Sequence, residues 1–153
     1  MVNTKEFNNA YTAILNAVFG EDGALIDSFV SANPDLPKDY QDLVLSWKNH
    51  ITDRFILERY LKKGAVCHGR NKAFIVQGIS ESLEDLYWGR APLMVETPLI
   101  PFRKVIIFTR FISVYSITFG PVARRGFKES YSEMRAAGRV YSSLPVPDDD
   151  DEY

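Results

Sequence analysis

Residues 54–79 read RFILERYLKKGAVCHGRNKAFIVQGI, and this stretch decides the fold. Residues 65–68 and 73–79 are short apolar runs on either side of Gly69-Arg70-Asn71, the mark of two strands joined by a turn. Residues 54–61 are compatible with a continued helix or with a strand; with Lys62-Lys63-Gly64 as a turn directly behind them, we read a strand.

Working downstream, Ser80 is placed to cap one short helical turn carrying Leu83 and Leu86. Residues 93–99 read as a strand near a sheet edge, because Pro98 has no N–H to give to a ladder. Residues 104–110 contain Val105-Ile106-Ile107-Phe108, an unbroken apolar run suited to burial on both faces. Residues 112–119 complete five or six strands, and their short connections favour an antiparallel sheet able to curl into a small barrel. Gly120-Pro121 ends the last strand and opens a helix, with Ala123, Phe127, Tyr131 and Met134 on the face that packs on the sheet and Gly138 as its stop.

Upstream, the period is helical. Phe7, Tyr11, Ile14, Leu15 and Val18 form an amphipathic stripe behind an Asn3/Glu6 capping box, with a stop at Gly20. A second helix carries Leu25, Ile26, Phe29 and Val30 and ends at Asn33-Pro34. A third starts near Pro37 and buries Tyr40, Leu43, Val44, Trp47 and Ile51, with Trp47 at its centre. The expected fold is therefore α+β: three N-terminal helices, a five- to six-stranded antiparallel, barrel-like sheet and a C-terminal helix. One domain spans 1–144, divided into an acidic helical part (1–53), a basic sheet (54–119) and the last helix (120–138). Residues 145–153, with Pro145, Pro147 and an acidic run, have too little apolar surface to offset ordering entropy and read as a disordered tail.

The chain of 153 residues is one domain's worth, long enough to bury roughly 70% of its unfolded surface. Its single cysteine, Cys67, excludes an internal disulfide. No apolar stretch reaches the roughly 20 residues of a membrane span, and the N-terminus lacks the apolar core of a signal peptide, so a cytoplasmic location without membrane contact is expected. The net charge of −2 hides an uneven distribution: −5 over 1–53, +8 over 54–139 and −5 over 148–152. Such asymmetry points to nucleic acid, a membrane surface or self-interaction, or simply to acidic helices facing a basic sheet within one fold.

Catalytic signals are few. There is no glycine-rich phosphate loop, dinucleotide fingerprint or zinc-protease signature, and a total of two histidines argues against a histidine metal site, so neither cofactor nor metal is expected. Cys67-His68 resembles a nucleophile and base, but neighbouring strand residues point to opposite faces and the pair cannot meet. His50 reads as a hydrogen-bonded structural histidine rather than a general base. Glu58 and Glu96, within apolar strands, are expected either to face outward or to pair with an arginine. An enzyme reading therefore has no assigned residues.

The strongest constellation is the junction Phe119-Gly120-Pro121-Val122-Ala123-Arg124-Arg125. A helix N-terminus favours anions, and two arginines against that dipole invite a negative partner. Arg124, Lys128, Arg135 and Arg139 fall within about 60° of one another on the helix. Arg124, Arg125, Lys128 and Arg135 are the candidate anion-binding residues. Lys62, Lys63, Arg70, Lys72, Arg103, Lys104 and Arg110 add charge from the sheet and its turns, while Tyr60, Phe74, Tyr87, Trp88 and Tyr115 could supply base stacking, although most of them are expected to belong to the core.

Ser46-Trp47-Lys48, Leu61-Lys62-Lys63, Leu99-Ile100-Pro101-Phe102 and Tyr115-Ser116-Ile117-Thr118-Phe119-Gly120 resemble a loose pattern, over roughly 43–135, of small uncharacterised bacterial proteins with no assigned activity. The resemblance implies a bacterial cytoplasmic protein and carries over no functional residue. The expected function is a non-catalytic binding module whose basic sheet-and-helix surface meets nucleic acid or an acidic protein segment. The alternative is an enzyme or small-ligand protein with a pocket between the helices and the sheet.

Overall fold

Strand β1 (Ile51–Leu61) is the seam on which the molecule closes. Along one edge it pairs antiparallel with β2 (Gly64–His68), and along the other with β4 (Leu93–Phe102), from Ile51↔Leu99 to Leu57↔Leu93. β2 continues into β3 (Ala73–Gln77), β3 pairs with β5 (Val105–Ile107), and β5 returns to β4. The circuit β1-β2-β3-β5-β4-β1 is a closed five-stranded barrel, with β6 (Ser113–Val114) on β4 and β7 (Val140–Tyr141) on β3. A short helix, α3 (Leu83–Leu86), links β3 to β4. This connectivity is that of a Greek-key barrel of the OB type. This computed structural model describes residues 14, 18–19, 23–78, 82–87, 89–108 and 113–147.

The barrel interior takes alternate side chains: Phe55 and Leu57 from β1, Ala65 and Cys67 from β2, Phe74 and Val76 from β3, Val95 and Leu99 from β4, and Ile106 from β5. Each large side chain buried there contributes roughly 1.5–3 kcal/mol. Gly64 begins β2 at φ 148, and a Cβ on it would stand 2.4 Å from the carbonyl oxygen of Val76, so glycine lets β2 and β3 approach at the turn.

The sheet is mixed, which corrects the antiparallel expectation. β5 and β7 both run parallel to β3, because the chain reaches β5 only after crossing through β4, and β7 only after the last helix. Nor is β4 an edge strand; it pairs with β1, β5 and β6. Pro98 is tolerated because β6 covers positions 95–96 and β5 covers 100–102, leaving a gap opposite the residue that lacks an N–H. Among the described residues 113–119, only Ser113 and Val114 enter the sheet; 115–120 have no regular secondary structure.

The helices also differ from expectation. α1 (Ala24–Ala32) and α2 (Lys38–Ser46) are present, but the first expected helix lies outside the described residues apart from Ile14, Val18 and Phe19. Only Ile26 of the α1 stripe is buried. α2 buries no residue, Tyr40 is exposed, and Trp47 is only half-buried in a 3-10 turn (Trp47–Asn49) that ends before Ile51 enters β1. The turn tightens the chain before β1, so the expected stripe never lies along one helix. The short helix is capped by Ser82, whose hydroxyl accepts from the Asp85 N–H; the expected cap, Ser80, lies outside the described residues.

α4 (Pro121–Ala136) starts at Gly120 with proline at its first position, as expected. It ends in a Schellman motif at Gly138 (φ 72): the Gly138 N–H reaches the Arg135 carbonyl and the Arg139 N–H reaches that of Met134. The chain then pairs with β3 and places Leu144 and Val146 in the main core, 8% and 7% exposed. Val146 is thus a core residue just past the expected boundary at 144; 148–153 lie outside the described residues.

Candidate functional site

β1 carries a bulge. Leu57 faces Cys67 but Arg59 faces Val66, so Glu58 is an extra residue and both Glu58 and Arg59 emerge on the outer face of the barrel. There they meet His68 and α4. Glu58 Oε2 lies 3.5 Å from His68 Nε2 and 3.3 Å from Arg59 Nε, with the Glu58 and His68 side chains 4% and 5% exposed. The Arg59 guanidinium sits 4.5 Å over the Tyr131 ring. Val66, Ala73 and Tyr131 form a second small core, with Ile75, Met134 and Val140 against it. α4 therefore covers the outer face of β2 and β3. Burial, opposed by Glu58, holds the His68 imidazole below its usual proton affinity.

Glu58 Oε1, Glu58 Oε2 and His68 Nε2 are buried without a hydrogen bond. None of the three grooves described below is lined by Glu58 or His68; the pair lies against α4, the His68 ring 6.1 Å from those of Phe127 and Tyr131. Sequence reasoning expected Glu58 either outward or paired with arginine and missed His68. The signal was available: inward residues fall at 55, 57 and then 60, a step of three in a period of two.

Cys67 faces the barrel interior while His68 faces α4, so the two do not meet, as alternation requires. Burial raises the Cys67 thiol far above its ordinary range and leaves it inert. His50 is structural: Nδ1 lies 2.8 Å from the Trp47 carbonyl oxygen, and Nε2 contacts that of Phe19. Glu96 is exposed, 3.8 Å from Arg54, and accepts from the Tyr115 hydroxyl, a bond that raises the phenol's proton affinity.

All four predicted anion-binding residues, Arg124, Arg125, Lys128 and Arg135, are exposed on α4. Among the described residues none of them forms an ion pair; Arg124 donates from Nε to the Phe119 carbonyl. They do not form one cluster. Measured from Tyr131 at roughly 100° per residue, Arg124, Arg135 and Lys128 fall at about 20°, 40° and 60° on one flank, and Arg125 at about 120°, toward solvent. Arg139 is off the helix, beside a separate groove of about 320 Å³ lined by Arg70, Ser130, Glu133 and Met134.

A groove of about 640 Å³ opens at the α4 N-terminus, between residues 89–93 and 114–119, and is lined by Arg90, Tyr115, Phe119 and Arg124. A further groove, of about 570 Å³, lies beside the Lys62-Lys63 turn and includes Glu84 and Asp85. Of the expected stacking residues, Phe74 and Tyr87 are core. Tyr60 donates its hydroxyl to the Arg90 carbonyl at 2.6 Å and is pushed up to about 12, chiefly by burial. Tyr115 is half-buried, with Arg54 5.2 Å over its ring. Lys72 is buried, and Trp88 and Arg110 lie outside the described residues. No helix among the described residues is long and apolar enough to cross a membrane, and none of their side chains form a cluster of three metal-ligating groups.

No protein-family profile, curated protein or solved structure matches this chain.

Proposed function

We propose that the protein is a non-catalytic binding module whose partner is a polyanion, bound along α4 and the groove at its N-terminus. The observation that carries this reading is that Arg124, Arg125, Lys128 and Arg135 all face solvent with no carboxylate partner among the described residues. A purely internal counterweight to the acidic helices would have been expected to form such pairs. The groove beside Arg124 adds Tyr115 and Phe119 to the charge, a combination suited to nucleic acid. The barrel's connectivity agrees by analogy of fold alone, and α4 already occupies the outer face of β2 and β3, which directs a partner to the helix itself.

Fluorescence anisotropy with short single-stranded RNA and DNA and with an acidic peptide, over a range of salt, tests the reading. Affinity should fall steeply with salt as neutralised phosphates release counterions. A chain ending at Pro147, without the acids at 148–152, should bind more tightly at low salt, where the tail competes most strongly. Absence of binding by every probe at about 50 mM salt would refute the proposal.

A further inference from the structure

The faces of α4 differ in sign, and this bears on which polyanion the module accepts. Ser130, Glu133 and Met134 line the groove near Arg70, and Arg124, Lys128 and Arg135 run along the opposite flank. The outermost line of the helix, about 140–180° from Tyr131, is Val122, Gly126, Glu129 and Glu133. Val122 is 82% exposed, and Glu129 and Glu133 are exposed as well.

A helix that reads duplex DNA puts its exposed face into the major groove, between two phosphate backbones. On α4 that face carries two carboxylates, Glu129 and Glu133, against one cation, Arg125 at its margin, so a duplex approaching it meets net like charge. The flank is different. Arg124, Lys128 and Arg135 are spaced by about 6 Å and 10.5 Å along the axis, enough for one backbone to follow. Arg124 ends this line at the mouth of the groove that holds Tyr115 and Phe119. An unpaired base can enter that groove; a base held in a duplex cannot.

Resting on the polyanion reading above, we infer that the site selects single-stranded nucleic acid against duplex, with Arg124, Lys128 and Arg135 holding the strand and Glu129 and Glu133 repelling the duplex. The discrimination comes as much from the repulsive carboxylates as from the attractive cations.

The test is anisotropy with the full chain, one labelled oligonucleotide, its duplex with the complementary strand, and an acidic peptide, all at the same salt. The single strand should bind about tenfold more tightly than the duplex. Lys128→Gln with Arg135→Gln should weaken the single strand about tenfold and reduce the salt slope by about 1.4, or 0.7 per lost phosphate contact. Glu129→Gln with Glu133→Gln should leave the single strand within about twofold and raise duplex affinity several-fold. Circular dichroism and thermal melting check the fold of both surface variants. Equal or tighter duplex binding, or a duplex affinity indifferent to the glutamate changes, overturns the inference and leaves the polyanion reading standing. Binding of the peptide alone overturns it in favour of an acidic protein partner. Failure of every probe overturns both.

Discussion

At the residue scale, the molecule turns on a few positions where ordinary alternation breaks. The bulge at Glu58 puts two charged neighbours on one face and brings a carboxylate to His68 under α4. Because the folded state holds His68 below its ordinary proton affinity, chiefly through burial, the unfolded chain binds the proton more readily. Stability should therefore be full above the ordinary histidine pKa of about 6.5 and fall as pH drops below it. Urea midpoints between about pH 7.5 and 5 should show this fall, and His68→Gln should flatten it; a variant with an unchanged profile would assign the acid sensitivity elsewhere. Two glycines make opposite predictions. Gly64→Ala drives a Cβ into the Val76 carbonyl and should cost about 1–3 kcal/mol. Gly126→Ala lies within α4, where a Cβ meets nothing within 4 Å, and should stabilise by about 0.5–1 kcal/mol. Chemical denaturation of both variants checks the pair, and two shifts of the same sign would contradict the geometry.

At the scale of elements, α4 is the one whose docking carries the functional reading. Its buried anchor is Tyr131, 8% exposed, with Arg59 on its ring and His68, Val66 and Ala73 around it. Tyr131→Ala should cost about 3 kcal/mol. It should raise amide exchange across Pro121–Ala136 while β1 and β2 keep their protection. Uniform loosening of helix and barrel would mean that α4 is integral to the barrel rather than laid upon it. The α4 boundaries were legible because proline and glycine punctuate both ends and the apolar period is clear. The α2 register was not: Trp47 and Ile51 keep a helical spacing in sequence, but a 3-10 turn and a strand take them. Periodicity reports which residues favour burial and is silent on whether a helix persists long enough to use it.

At the scale of the whole molecule, closure is a long-range event. β1 meets β4 only after β2, β3 and α3 have intervened, and the last described segment returns to the same core through Leu144 and Val146. A chain ending at Ser143 loses both side chains, roughly 3 kcal/mol of burial, and should melt about 6–12 °C lower. A chain ending at Pro147 should melt with the full-length protein. If the shorter chain does so too, Leu144 and Val146 are not core residues. From sequence alone follow the α+β class, the meander of 54–77, the α4 helix with its exposed cations, and the separation of Cys67 from His68. All of these are local, set by period, turn residues and alternation within a few positions. Only the tertiary structure decided the parallel contacts of β5 and β7 with β3, the interior place of β4 and the burial of Val146. Each depends on which distant strand arrives beside which, and that choice is made by closing the barrel and filling its interior, a property no short window of sequence contains.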